Sequence, residues 1–204
     1  MPNGQPMLDH INALDQDRFV ALFGDLFEGS PWIAAEAWPA RPFADGAALH
    51  RAFQDVINHA PPERQLALIR AHPDLVGRAA RAGALTPSST EEQAAAGLAL
   101  DRLSADDIAA FDRLNAAYRD RFGFPFVVCA RDNKKDAILA GFAARLDNDR
   151  EREIAVALDE IAKIGWYRLV AAVHDDAMND GSVRAHAVRL PDPQPVTLHV
   201  EVRP

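Results

Sequence analysis

The chain has 204 residues, of which 49% are apolar and 25% are charged, so it is long enough to bury one sizeable core in a single main domain. Its formal net charge of −8 and its pI near 5.3 argue against a nucleic acid or an anionic membrane surface as partner, because both require a basic footprint. The single cysteine, Cys129, excludes an intrachain disulfide and a cysteine-based zinc site. Because we see neither a signal peptide nor an apolar run of membrane-spanning length, we expect a cytoplasmic protein.

Apolar residues spaced by three and four predict two amphipathic helices in the first 60 residues. The first lies within 15–28 and has Asp15 or Asp17 as its cap. The second begins near Ala47 and ends before the pair Pro61 and Pro62. The segment between them is rich in proline and tryptophan, and we expect its aromatic side chains to serve packing.

A short helix over 64–71 is predicted to end at His72, because Pro73 excludes the α conformation from the residue before it. This places an imidazole at a helix C-terminus. A new helix is predicted to begin near Ser89 or Thr90, where two overlapping capping boxes occur. Its first turn would present an acid, an amide and free backbone N–H groups.

Three further helices are predicted in the second half of the chain, over 104–122, 134–146 and 150–173. The apolar run 124–129 between the first two could be a brief strand or a buried loop. We therefore predict an all-α, compact multi-helix single domain over 1–174 with roughly seven to nine helices, counted from these caps and breaks.

The last 30 residues, 175–204, differ from the rest because they are rich in turn-forming residues. Within them, 196–202 alternates apolar and polar side chains, and 183–190 could pair with it. We predict a short non-helical C-terminal tail, in which these two segments could form a β-hairpin.

Three motifs follow one another along the chain: AHPDL at 71–75, S-x-x-E-Q-x-x-A-G-L at 89–98, and RFGFPFVV at 121–128. Together they resemble the family of 2-oxo-4-hydroxy-4-carboxy-5-ureidoimidazoline (OHCU) decarboxylases, and the match extends over nearly all of 14–173. The resemblance implies decarboxylation of this small-molecule substrate to (S)-allantoin in urate degradation, without a cofactor, by a protein that forms a homodimer.

The resemblance also assigns roles to particular residues. It implies that His72 and Glu92 are catalytic. It implies substrate binding by side chains or main-chain groups of Pro73, Ser89, Gln93, Phe124, Pro125, Phe126, Val127, Val128 and Arg145. No residue is assigned to a metal.

Other interpretations of these residues remain open. A lone histidine is more often a surface or satisfied core residue, and Glu91 and Glu92 could simply favour a helix start. Arg145 alone would be only an arginine at a helix end. No two of the seven histidines are spaced i, i+4, which disfavours a metal-dependent lyase. A noncatalytic ligand-binding or scaffold domain remains the alternative from another class.

Overall fold

The computed structural model describes residues 7–173, in which ten α-helices and four short 3-10 turns occur and no β-strand is present. The all-α prediction is therefore confirmed. The helix number exceeds the predicted range because very short helices escape a periodicity analysis. The helices are α1 (Leu8–Asn12), α2 (Gln16–Phe23), α3 (Trp32–Ala37), α4 (Gly46–His59), α5 (Pro62–Ala71), α6 (Arg78–Arg81), α7 (Pro87–Ala95), α8 (Ala105–Phe122), α9 (Lys135–Leu146) and α10 (Arg150–Ala172).

Most helix ends follow the local sequence. Asp15 caps α2, and Ser104 with Asp107 forms a capping box at α8. Gly123 ends α8 in the left-handed conformation, with φ of +78°. The run 124–129 that follows is a buried, non-helical connection, which decides between the two predicted possibilities for it.

The predicted start of α7 at Ser89 or Thr90 is wrong. The helix begins at Pro87, and the side chain of Thr86 accepts a hydrogen bond from the N–H of Ser89 at 3.2 Å. Proline suits the first helical position because its missing N–H would have no partner there. Glu92 and Gln93 consequently lie in the second turn, where the backbone N–H groups are already bonded within the helix.

The long helix α10 organises the packing, since it lies against α4, α5 and the 3-10 turn Gly24–Leu26. At Gly165 it approaches Phe27 so closely that a Cβ atom would lie 2.6 Å from the phenyl ring. The ring of His50 in α4 meets the ring of Trp166 edge-on, with centroids 5.1 Å apart, and its Nε2 is 2.9 Å from the carbonyl oxygen of Ala162. These contacts hold α10 at a defined depth in the core.

Two groups of aromatic rings fill the core on either side. One group lies between α2, α4 and the loops that follow α2 and α3, and comprises Phe19, Phe23, Phe27, Phe43 and Phe53. The other lies between α8, α9 and the 124–129 connection, and comprises Phe111, Tyr118, Phe122, Phe124, Phe126 and Phe142. Each helix within 7–173 is too short or too polar to span a lipid bilayer. The predicted tail, 175–204, lies outside the described residues.

Candidate active site

A cavity lies where α5 ends, beside α7, α10 and the 124–130 connection. It collects eight of the predicted site residues and four others. Its lining consists of His72, Pro73, Leu75, Ser89, Glu92, Gln93, Phe126, Val127, Val128, Ala130, Ile164 and Arg168. Phe124, Pro125 and Arg145 do not line this cavity. Phe124 instead stacks on Phe122 in the aromatic core, with ring centroids 5.9 Å apart.

His72 occupies the C-cap of α5, as the proline after it predicts. Its ψ angle of 138° is extended, and its Nδ1 lies 2.9 Å from the carbonyl oxygen of Leu68. A carbonyl can only accept a hydrogen bond, so Nδ1 carries the proton and Nε2 holds the lone pair in the neutral ring. This arrangement leaves Nε2 as the basic nitrogen of the side chain.

Burial lowers the pKa of His72 to about 4, against the raising effects of the Leu68 carbonyl and the Glu28 carboxylate. The side chain is only 6% exposed, so desolvation of the imidazolium dominates. Near neutral pH the ring is therefore uncharged and able to accept a proton.

Glu92 is held by Arg168, a buried residue near the end of α10. The Nε of Arg168 donates to Oε1 of Glu92 at 2.8 Å, and Nη2 donates to Oε2 at 2.9 Å. This two-point pairing fixes the plane of the carboxylate. Burial acts to lower the pKa of the Arg168 guanidinium, but the hydrogen bonds and charges of Glu92 and Glu28 outweigh it and raise the pKa. The guanidinium is therefore a permanent charge.

A second carboxylate, Glu28, completes this network from the loop before α3. Nη2 of Arg168 donates to Oε1 of Glu28 at 3.1 Å, and the hydroxyl of Ser89 donates to the same oxygen at 2.7 Å. Desolvation raises the pKa of Glu28, yet the Ser89 hydrogen bond and the Arg168 charge outweigh it and lower the pKa overall. Two carboxylates thus share one guanidinium beside the cavity, which leaves the cluster with a net negative charge near His72.

Neither Glu28 nor Arg168 was singled out from the sequence. For Arg168 a signal existed, because it continues the buried stripe of α10 that runs through Ile161 and Ile164 at spacings of three and four. A charged side chain on an apolar stripe requires a buried partner. For Glu28, which follows a helix and a 3-10 turn, we find no comparable signal in the sequence.

Arg145 lies behind the cavity wall rather than in the cavity. Its Nε donates to Oε1 of the fully buried Glu153 at 2.7 Å, and its Nη1 donates to the carbonyl oxygen of Val127 at 2.7 Å. The guanidinium also lies 4.3 Å from the ring centroid of Phe126. The Val127 and Phe126 contacts lie on the connection that forms the wall, and the Glu153 contact lies on α10. The geometry therefore does not bring Arg145 to a ligand in the cavity.

The same connection is held from its other end by α10. The N–H of Cys129 donates to Oε2 of Glu160 at 2.7 Å, and Glu160 is paired with Lys163 at 2.5 Å. Burial raises the pKa of the Cys129 thiol to about 12, as expected for an inert packing residue. Among residues 7–173, no group of three or more histidine, cysteine, aspartate or glutamate side chains could hold a metal ion.

A neutral buried histidine and an oriented carboxylate around one small, largely apolar cavity are typical of an all-α enzyme that moves protons on a small molecule. Comparison with known proteins makes the class specific. The family model for OHCU decarboxylase matches residues 12–170, and the chain belongs to this family. The family resemblance predicted from the sequence motifs is confirmed.

Two relatives and one solved structure illustrate the match. The chain is 45% identical over 159 residues to the 2-oxo-4-hydroxy-4-carboxy-5-ureidoimidazoline decarboxylase of Amia calva, which covers 78% of this chain and 90% of that protein. It is 43% identical over 162 residues to the enzyme of the same name from Haloferax volcanii, covering 79% and 93% respectively. A crystal structure of (S)-allantoin synthase superposes with a TM-score of 0.63 at 25% identity, over 82% of this chain and 54% of that one.

Proposed function

We propose that this protein decarboxylates 2-oxo-4-hydroxy-4-carboxy-5-ureidoimidazoline to (S)-allantoin in urate degradation. The observation that carries the proposal is the neutral, buried His72 facing the same cavity as the Arg168-bound Glu92, in a member of this family. Both groups needed for proton transfer therefore meet at one place.

The substrate itself explains why a proton-transfer site is sufficient. Its carboxylate leaves from a carbon adjacent to a ring C=N bond, so the electron pair of the breaking C–C bond moves into the ring. That is the task for which other decarboxylases use pyridoxal or thiamine. As CO2 leaves, the former imine nitrogen takes up one proton from the solvent. Loss of the hydroxyl proton then forms the ring carbonyl, and a proton adds to the former imine carbon. Only proton movement and orientation of the ring remain for the protein.

His72 is suited to both proton steps. Its unprotonated Nε2 takes the hydroxyl proton, and the imidazolium that results returns a proton to one face of the ring. Burial makes that imidazolium costly, as the depressed pKa indicates, so the proton is readily given up. The Leu68 carbonyl and the nearby Glu28 carboxylate limit this cost, so that the charged form can serve as an intermediate.

Arg168, not Arg145, is the cation placed to act on the substrate. It lines the cavity and orients Glu92, whereas Arg145 is occupied behind the wall. We assign Glu92 to the substrate hydroxyl or the imidazole, and Ser89 and Gln93 to the polar edges of the ring. Pro73 and the main chain of 126–128 would hold its plane, whereas Phe124 and Pro125 would act through the packing of this segment.

We further propose that the enzyme is a cytoplasmic homodimer that uses no cofactor. The family resemblance supports the dimer, the single cysteine supports a reducing compartment, and the ring of the substrate supports catalysis without an added electron sink. Light scattering on the purified full chain tests the dimer, with a mass of one chain as the contrary result.

The activity can be tested with substrate generated in place from urate by urate oxidase and hydroxyisourate hydrolase. We expect the protein to accelerate loss of the substrate absorbance and to leave a persistent circular dichroism signal, because one placed acid protonates one face. Spontaneous decay gives racemic allantoin. Acceleration should survive extensive dialysis against a strong chelator.

Two outcomes would contradict parts of the proposal. Faster decay that still yields racemate would remove the role of His72 in delivering the second proton. No acceleration by folded protein would instead favour the noncatalytic ligand-binding domain.

A further inference from the structure

The turn that follows the catalytic histidine contains a strained residue. Val76 is fully buried and has φ of +55°, which is an outlier for a β-branched side chain. Strain of this kind persists only where the surrounding contacts over-determine the backbone, and it is concentrated at functional sites. The partners that hold this turn therefore matter for the cavity beside it.

Two side chains grip the two ends of one peptide group in this turn. Asn115 of α8 donates from Nδ2 to the carbonyl oxygen of Leu75 at 2.9 Å. The N–H of Val76, which belongs to the same peptide group, donates to Oε1 of Gln93 at 3.1 Å. Rotation of the peptide would break both hydrogen bonds. One turn further along α8, Arg119 pairs with Asp74 at 2.9 Å, so the same helix face holds the turn twice.

The presence of asparagine at position 115 is not explained by packing alone. Its side chain is only 6% exposed, and its Oδ1 has no hydrogen-bond partner in the described chain. Burying an unpaired carbonyl oxygen costs free energy that an apolar side chain of similar size would avoid. The donor group toward Leu75 is what this residue contributes.

The grip determines which end of the Gln93 amide faces the cavity. A backbone N–H can only donate, so the atom of Gln93 next to Val76 must be the oxygen. The NH2 group is then left for the cavity, which Gln93 lines. It would meet a hydrogen-bond acceptor of a bound molecule, such as a carbonyl or carboxylate oxygen.

We propose that Asn115 is a positioning residue: it clamps the Leu75–Val76 peptide so that Gln93 presents its NH2 group to an acceptor oxygen of the substrate. This inference rests on the proposed decarboxylase function. Asn115 does not line the cavity, and its effect passes through the peptide group and the Gln93 amide.

The test compares two asparagines that each hold a loop. Asn115→Leu removes the hydrogen bond to Leu75. Asn12→Leu is the matched control, because Asn12 forms hydrogen bonds with both backbone polar groups of Phe43, and neither residue lines the cavity. We expect kcat/KM to fall about tenfold to a hundredfold in Asn115→Leu, the range for a misplaced hydrogen bond at a reacting centre. Asn12→Leu should lower the melting temperature without changing kcat/KM. Asn115→Ala, which removes the donor without burying a charge, should reproduce the loss if the leucine variant folds poorly.

A double-mutant cycle separates positioning from general loosening of the fold. In a Gln93→Ala background, Asn115→Leu should have little further effect on kcat/KM, since the group it positions is gone. Multiplying losses, or an unchanged kcat/KM in folded Asn115→Leu and Asn115→Ala, would overturn the inference. Inactivity of the unmutated protein would instead refute the proposed function, so the two failures are distinguishable.

Discussion

Removal of the Arg168 guanidinium is the sharpest perturbation of the site, because two buried carboxylates depend on it. In Arg168→Met, both Glu28 and Glu92 lose their counter-charge, while the methionine fills most of the space of the arginine stem. Loss of one partner from a buried ion pair typically costs about 3–5 kcal/mol. For a chain of this size we expect the melting temperature to fall by roughly 6–20 °C, at about 2–4 °C per kcal/mol.

The pH dependence of this loss gives a specific signature. Without the guanidinium, the pKa of the Glu28 carboxyl should rise, because burial then acts with less compensation. The folded variant would take up protons more readily than the unfolded chain as the pH falls, so its stability deficit relative to the unmutated protein should shrink between pH 7 and pH 5. Urea denaturation of both proteins at the two pH values measures this difference.

Two further variants test the reasoning. Arg168→Lys keeps the charge but cannot form the two-point pairing, so stability should recover in part while kcat/KM stays at least about tenfold low. Adding Glu92→Gln to Arg168→Met removes one of the stranded carboxylates and should restore part of the lost stability. If Arg168→Met melts like the unmutated protein, or if the double variant is less stable than the single one, the description of a carboxylate pair sharing one guanidinium is refuted.

Four other predictions concern the rest of the site. His72→Gln should keep the helical circular dichroism and lower kcat by at least about a hundredfold; near-normal turnover in the folded variant would exclude His72 from proton transfer. Arg145→Met should lower the stability and raise KM, because it removes the support of the cavity wall at Val127. When it is combined with Arg168→Met, the losses in kcat/KM should multiply; strong coupling between the two substitutions would indicate that both arginines contact one ligand. Burial lowers the pKa values of His50 and His72 to about 4, so the folded state binds these protons less readily than the unfolded chain. The free energy of unfolding should therefore be at its full value above about pH 6.5 and fall progressively toward pH 4. A free energy of unfolding that stays constant between those pH values would contradict the burial of the two histidines. Truncation after Asp176, which removes most of the tail outside the described residues, should leave turnover unchanged, and loss of activity in a folded truncated protein would assign the tail to the site.

The helix ends around the site, which depend on residues adjacent in the sequence, could in part be predicted from the sequence. The end of α5 at His72 follows from the ring of Pro73, and the end of α8 follows from Gly123. The capping boxes around Ser89 were misleading because a stronger pair of signals, Thr86 followed by Pro87, comes three residues earlier. Two helix-start patterns overlap in this segment, and the helix begins at the one with proline at the first helical position.

The electrostatic part of the site could not be derived in the same way. Glu28, Glu92 and Arg168 meet through the packing of three separate segments, and the ion pair between the first and last spans 140 residues of sequence. The periodicity of one segment does not indicate which buried charged residues of other segments it will pair with. The role of Arg145 shows the same limit, since its position at a helix end does not reveal that Glu153 and the Val127 carbonyl take up its donors.

The bare face of α10 at Gly165 limits how this enzyme could be altered. A methyl group there would lie within 2.7 Å of two ring atoms of Phe27, so even alanine would push the helix and the ring apart. Phe27 directly precedes Glu28, and Arg168 lies three residues beyond Gly165, so the displacement would lengthen the Glu28–Arg168 contact from both sides. The position of Arg168 in the cavity wall thus depends on the missing side chain of Gly165, a residue that does not itself line the cavity.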